Sequence, residues 1–345
     1  MQSTQARSSF EGSRGRNWRT PWLLTVISSI LVLSAACSSS SSTPSNSQAS
    51  SPSRSAAGMV PALRAMLPSS IRQAGAMTVA TDATYPPCEY IQNNTTTMVG
   101  FEPDLWNGLG RLYGIKVNTI NTNLDGLIPG VKSGRYQLAM ECLSDLVPRE
   151  SEATFIDFGL DGTSSVTLAS NQFHVTSNPL SVCGLTMALQ AGNNLIGSVQ
   201  SAVDPYCQKH GRPAVHLLVY PTNSASLLAV YSGRADMTLQ DTDAASYLEL
   251  QAPKPVVAIA NLNGLVPPSY IAIVVNRGDS QFLHALLAGM TALYKDGQYQ
   301  AIMAKWKVPK TDWIAPGVNL QKTKPITATL SAASTARPHG ATRAD

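Results

Sequence analysis

Charge is scarce in this chain. Asp, Glu, Lys and Arg make up 13% of its 345 residues, and aromatic residues 6%. The five His are scattered without HExxH spacing, and neither a Gly-rich phosphate loop nor a GxSxG elbow occurs. Zinc proteolysis, nucleotide hydrolysis and esterase chemistry therefore lack their sequence machinery. The apolar run from Trp22 to Leu33 falls short of the roughly 20 residues that span a bilayer. The net charge of +4 is unevenly divided: between Gln73 and Leu320 there are 14 Lys and Arg against 19 Asp and Glu, so the excess positive charge sits in the two ends. A mildly acidic folded region argues against nucleic-acid binding, which needs a basic face. No cofactor motif is present.

The beginning of the chain reads as an export signal. Arg7, Arg14, Arg16 and Arg19 precede the apolar run, and Ser34-Ala35-Ala36 precede Cys37. That order over residues 1–36 is a secretory leader, and small residues directly before a Cys resemble the bacterial lipoprotein processing site, which implies that Cys37 is lipidated. Leu33 stands one place further from Cys37 than that site's usual Leu. An uncleaved anchor or a soluble secreted form is the alternative. Residues 37–72 read as the lipidated Cys and a Ser-rich tether, and 321–345 as a disordered tail. With Cys37 set aside, four Cys remain in an oxidising compartment, which predicts two disulfides. Cys183 and Cys207 flank one compact segment. A zinc site from Cys183, Cys207 and His210 competes with that pairing but has no close Cys or His pair to nucleate it.

Between these ends, β-rich and amphipathic helical runs alternate. Gly75–Thr81 is a strand run that Pro86-Pro87 forbids from continuing. Glu102-Pro103-Asp104 opens a helix with Leu105, Trp106, Leu109, Leu112 and Tyr113 on one face. Ile115–Ile120 is a strand, Leu127–Lys132 a helix, and Tyr136–Met140 a strand that leaves regular structure at Glu141. A second unit of the same βαβαβ grammar runs from Thr186 to Leu239. Such sheets bind ligands outside the carboxyl ends of their strands. At those ends stand Asp82 and Tyr85, Leu124, then Glu141, Cys142, Ser144 and Arg149. A hydroxyl and, five residues on, a guanidinium have the parts to hold a carboxylate. Taken singly, each has a plain alternative: Arg149 solvated beside Glu150 and Glu152, Tyr85 as packing, Asp241 as a cap of the helix beginning at Thr242.

DATYPPCEY (82–90), GFEPDL (100–105), LDGLIPGVKSGRYQLAM (124–140), PRE (148–150), FIDFG (155–159), LQAGNN (189–194), GRADMTLQD (233–241) and DGQYQAIMAKW (296–306) together resemble, in order and spacing, the extracellular solute-binding proteins of polar amino-acid ABC transporters, near the branch that binds histidine and lysine, arginine or ornithine. The resemblance spans roughly residues 75–310. It implies an α/β, two-lobed type II periplasmic-binding-protein fold: lobe 1 from 73–168 plus 270–320, lobe 2 from 169–269, and two crossing strands as hinge near 166–171 and 268–273. By position, Tyr85 and Leu124 would sandwich a ligand side chain, and Ser144 and Arg149 would clamp an α-carboxylate with help from Gly192, Asn193 and Asn194. Asp241, with Asp82 nearby, would take an α-ammonium. The implied partners are an amino acid, a membrane permease and, through the lipid, the membrane itself. The implied state is a monomer outside the cytoplasm, without catalysis.

Two departures from the pattern are coupled. Cys88 replaces the usual Phe after the two prolines, and Glu141-Cys142 replace two small hydroxyl residues. Cys88 and Cys142 would face one rim, which predicts that they are bonded. Glu141 is either an acidic lining residue selecting a cationic side chain or a strand-end residue bonded to backbone. Cyclohexadienyl dehydratases share the fold, and Glu141 is the one unusual candidate for their general acid. A sensor or surface module is a third reading.

Overall fold

The structure is a computed structural model that describes residues 58–93 and 95–326. The leader, Cys37, the first part of the tether and residues 327–345 lie outside the described residues.

The tether ends sooner than its composition suggests. Residues 61–72, expected to be disordered, fold into α1 (Pro61–Met66) and α2 (Ser69–Ala74). Pro61 has no N–H to leave unsatisfied at a helix start, and Gly75, at φ 62°, ends α2. Leu67 and Ile71 are buried in the main apolar core, which gives these short helices the tertiary support that a six-residue helix needs.

From there the chain follows the expected alternation. Strand β1 (Ala76–Thr81) leads through the short strands β2 (Thr84–Tyr85), β3 (Glu89–Ile91) and β4 (Met98–Val99) to α3 (Phe101–Tyr113). The predicted apolar face of α3 is buried, and Gly114 ends the helix in the left-handed region. Next come β5 (Lys116–Asn121), α4 (Leu127–Lys132), β6 (Leu138–Ser144), α5 (Val147–Glu150) and β7 (Thr154–Asp161). After Gly162, β8 (Thr163–Leu168) enters a second sheet, which β9 (Thr186–Gln190), β10 (His216–Tyr220), β11 (Met237–Asp241) and β12 (Val256–Ile259) complete. Helices α6 (Leu195–Ser198), α7 (Asp204–Lys209), α8 (Asn223–Tyr231) and α9 (Thr242–Gln251) connect those strands. Strand β13 (Ser269–Val275) returns to the first sheet, followed by α10 (Ser280–Lys295), α11 (Gln298–Lys305), β14 (Trp313–Val318) and α12 (Leu320–Thr323).

The first sheet has the order β14-β7-β13-β6-β1-β5 and the second β10-β9-β11-β8-β12. Strands β1, β5 and β6 run parallel, as do β9, β10 and β11, while β7, β8, β12 and β13 make antiparallel pairs. Each sheet carries apolar side chains on both faces. The chain therefore crosses from the first sheet to the second at Gly162, not near 166–171. Leu168 and Val166 already pair with Val256 and Thr238 in the second sheet. The return crossing lies just before Ser269, close to the expected position.

Strand β6 sits centrally and is buried along its whole length. It does not stop at Met140. Ser144 and Leu143 pair with Ile271 and Ala272, whereas Ala139 pairs with Val274. Met140, Glu141 and Cys142 thus oppose the single residue Ile273, and Cys142 takes a φ of 42°. A bulge of this kind kinks the strand and re-aims its side chains, a device common beside functional sites.

The far end of the chain is also more ordered than expected. The amides of Leu320, Gln321 and Lys322 donate to Asp157 Oδ2 at 2.8 Å, Asp145 Oδ2 at 3.1 Å and Glu150 Oε1 at 3.1 Å. Three buried carboxyl groups of lobe 1 dock α12, so residues 321–326, expected in the tail, are part of the fold.

Candidate ligand-binding cleft

Loops at the strand ends of both sheets meet around one cavity. Lobe 1 contributes Tyr85, Leu124, Glu141, Cys142, Ser144 and Arg149; lobe 2 contributes Gly192, Asn193, Asn194 and Asp241. Leu143 also lines it. Its free volume of ≈ 20 Å³ holds about one water. A solute of several heavy atoms needs more room, so its entry requires the lobes to part.

Arg149 reaches from α5 across the cavity. Its Nη1 donates to Ser144 O at 3.1 Å and its Nη2 to Gly192 O, on the other lobe, at 2.9 Å. Burial lowers its pKa, and the Glu141 and Asp145 carboxyls oppose that shift. Ser144 Oγ donates to Asn194 Oδ1 at 3.3 Å and accepts from Ser269 Oγ at 3.1 Å. The hydroxyl of Tyr85 accepts the Asp241 amide at 2.9 Å. Asn193 turns its Oδ1 to the Leu195 amide at 2.8 Å and so caps its own loop. Gly192, at φ 83°, is placed so that a Cβ would lie 2.8 Å from Asp125 N and Cα; only glycine lets these two backbones from opposite lobes approach so closely.

Asp82 does not line the cavity. Its Oδ1 accepts Thr84 Oγ1 at 2.8 Å; its Oδ2 accepts the Leu124 amide at 3.2 Å and Gln190 Nε2, from lobe 2, at 2.7 Å. Desolvation raises its pKa despite these bonds. The sequence carries no signal for Gln190, because a Gln at the end of a buried strand does not reveal a partner on the other lobe. Two further contacts join the lobes, Tyr247 with Tyr90 at 3.2 Å between hydroxyls and Asn223 Nδ2 with Thr84 O at 3.4 Å.

Two carboxyl groups, Glu141 and Asp241, line the cleft. Glu141 is buried, and its pKa is pushed well above the ordinary carboxylate range by desolvation and then by Asp82, Glu102 and Asp241. Burial raises Asp241 to about 7, which the Tyr85 hydroxyl partly counters. Both predicted disulfides are present: Cys88–Cys142, with Cα atoms 6.1 Å apart, and Cys183–Cys207, at 5.6 Å. The first ties β3 to the bulge of β6 and places Cys142 in the cavity wall. Among the described residues no His, Cys, Asp or Glu cluster could hold a metal ion, and Cys183 and Cys207 are bonded to each other rather than joined to His210 in a zinc site.

The arrangement can hold an anionic group at a half-buried guanidinium and a cationic group beside carboxyls, with lobe closure limiting the access of water to both. Known proteins agree with this geometry. Residues 77–309 match the model of bacterial extracellular solute-binding proteins, family 3. The arginine-binding protein ArgT of Corynebacterium glutamicum is 23% identical over 249 residues, covering 72% of this chain and 80% of its own. The histidine-binding periplasmic protein of Salmonella typhimurium is 25% identical over 237 residues, covering 66% and 86%. Among solved structures, an ABC uptake transporter substrate-binding protein from Streptococcus pneumoniae with bound histidine superposes with a TM-score of 0.63 at 22% identity, covering 71% of this chain and 97% of that one. An ancestral amino-acid-binding protein, a precursor of cyclohexadienyl dehydratase, gives 0.56 at 23%, covering 69% and 97%. With two facing sheets, a cleft between them and a family match over most of its length, the chain belongs to the bacterial extracellular solute-binding proteins, family 3.

Proposed function

We propose that this protein captures one free polar or basic amino acid between its lobes and delivers it to a membrane permease of the ABC class. The observation that carries this reading is the placement of the Arg149 guanidinium and the Asp241 carboxyl on opposite lobes of one cavity. The α-carboxylate would displace Gly192 O from Arg149 Nη2, because a charged acceptor makes the stronger bond. Ser144 Oγ would add a further bond. The α-ammonium would sit at Asp241, and the Tyr85 and Leu124 side chains would flank the rest. Because such a ligand contacts both lobes only when they are closed, binding shifts the population toward the closed form. A lipid on Cys37 would hold the receptor, as a monomer, at the outer face of the membrane. Asp82 serves this mechanism from outside the cavity, by receiving Gln190 when the lobes close.

A dehydratase activity is the second reading, supported by Glu141, a buried carboxyl in the cavity wall whose pKa burial raises. One thermal-shift panel separates the two. At least one common amino acid should raise the melting temperature by about 3 °C or more, with polyamines, which lack a carboxylate, inert. Consumption of prephenate or arogenate, with no stabilisation by any amino acid, would overturn the receptor reading in favour of the enzyme.

A further inference from the structure

Behind Glu141 lies a second tier of carboxyls that capture of an α-amino acid headgroup does not require. Glu89 on β3 and Glu102 at the start of α3 are both fully buried. Their carboxyls face each other. Glu102 Oε1 accepts the Cys142 amide at 2.9 Å, which fixes it beneath the bulge. Neither oxygen of Glu89, nor Glu102 Oε2, receives a donor from elsewhere in the described protein.

The surroundings supply no cation to this tier. Glu89 faces Glu102, Glu141 and, from the end of β1, Asp82. Glu141 faces Asp82, Glu102 and, from β11, Asp241, with Arg149 as an opposing charge. Tyr85 on β2 is close to Glu141, and its neutral hydroxyl is engaged by the Asp241 amide. Several carboxylates at this spacing in a buried site cannot all be ionised, because each would be desolvated and repelled by the rest. Glu89, Glu102 and Glu141 therefore titrate as neighbours, with burial and mutual repulsion favouring their protonated forms. Burial raises Glu102 to about 7 and Glu89 well beyond its ordinary range.

A cluster of buried acids with one member, Glu141, in the wall of a closing cleft has two ways to stay uncharged on balance: it keeps its protons, or it meets a cation. We propose that Glu141, backed by the Glu89–Glu102 pair, holds protons in the empty closed form and exchanges one for a cationic side-chain group of the captured solute. This rests on the amino-acid receptor reading and deepens it. The ligand class is an amino acid with a second positive charge, and protons compete with it for the same wall. On entry of the cation the Glu141 O–H bond breaks, its electron pair stays on the carboxylate, and the proton leaves to solvent before the lobes seal. Glu89 and Glu102 are positioning residues here: they touch no ligand and set how readily Glu141 ionises.

The test is calorimetric titration of the full chain with L-arginine and with its neutral near-isostere L-citrulline, in phosphate and in Tris at pH 7. The two buffers differ in ionisation enthalpy and so report protons released. Arginine should release between about half a proton and one proton, with its affinity falling up to about tenfold for each unit of acidification below pH 7. Citrulline should release less, only the share that Asp241, raised to about 7, gives up to the α-ammonium that both ligands carry. In Glu89→Gln and Glu102→Gln, both of which keep shape and acceptor atoms, arginine should still bind, with less proton release and a flatter pH profile. Arginine binding without proton release, equal release with citrulline, or binding of neutral amino acids alone would overturn the exchange and leave the receptor standing. Binding of no free amino acid would overturn the receptor reading itself and the exchange with it.

Discussion

Replacing Arg149 with Ala should cost about 2–4 kcal/mol of ligand affinity, roughly 30- to 1,000-fold. The guanidinium is a positive charge beside Glu141 that lowers its pKa, and in the closed form it already bridges the lobes through Gly192 O. Its removal has two consequences. A bound carboxylate would be left desolvated without its charged partner, and the closed form would lose a contact that spans the cleft. Lysine in the same place should recover only part of the loss. It supplies one point charge where Arg149 supplies a planar fork that reaches Ser144 O and an acceptor from lobe 2 together. Equilibrium titration of wild type, Arg149→Ala and Arg149→Lys with the same amino acid measures the series; near-wild-type affinity in the alanine variant would refute the clamp.

The ligand-free protein should be most stable in mild acid and lose stability toward neutral and basic pH. Burial raises Glu102 and Asp241 to about 7 and Asp157 to about 8, and it raises Glu89, Glu141 and Asp161 well above the ordinary carboxylate range. Each of these acids binds its proton more tightly folded than unfolded. The unfolded chain gives up its protons near pH 4, so between about pH 4 and 8 the folded state holds the larger number. Stability from this source is complete below the unfolded values and disappears as the pH rises through the folded ones. A pKa difference of one unit corresponds to about 1.4 kcal/mol. A change of that size moves the melting temperature of a domain this large by a few degrees. Several such groups should lower it by about 5 °C or more between pH 5 and pH 8, as differential scanning calorimetry in low-salt buffers would show. A melting temperature that rises over the same interval would mean that these carboxyls are ionised in the fold.

Part of this cleft was legible from local pattern. Strand and helix periodicity located the alternating units, and the loops after Thr81, Asn121 and Leu189 stand at strand ends as expected. Pattern alone did not give the strand-to-strand register. The bulge that turns Glu141 and Cys142 toward the cavity depends on how β6 pairs with β13, some 130 residues later. Similarly, the crossing at Gly162 follows from the partners of β8, which are distant in sequence. Glu102 opens α3, where acids are favoured; its burial beside Glu89 is a tertiary fact that the helix-start pattern does not carry. Asp82, expected beside the α-ammonium, does not line the cavity, and its partner Gln190 lies on the other lobe. The helices at 61–74 were hidden by the low-complexity run before them, since two buried apolar residues suffice to anchor what composition alone reads as tether.

The central claim is that this cleft recognises the α-amino-acid headgroup itself, by Arg149 and Asp241 from opposite lobes. Its most direct test is a calorimetric comparison of the amino acid that stabilises the protein most with the amine formed by removing its carboxyl group. The account predicts that the amine binds at least about 100-fold more weakly, since it leaves the half-buried guanidinium without its anion. Equal affinity for the two would contradict it.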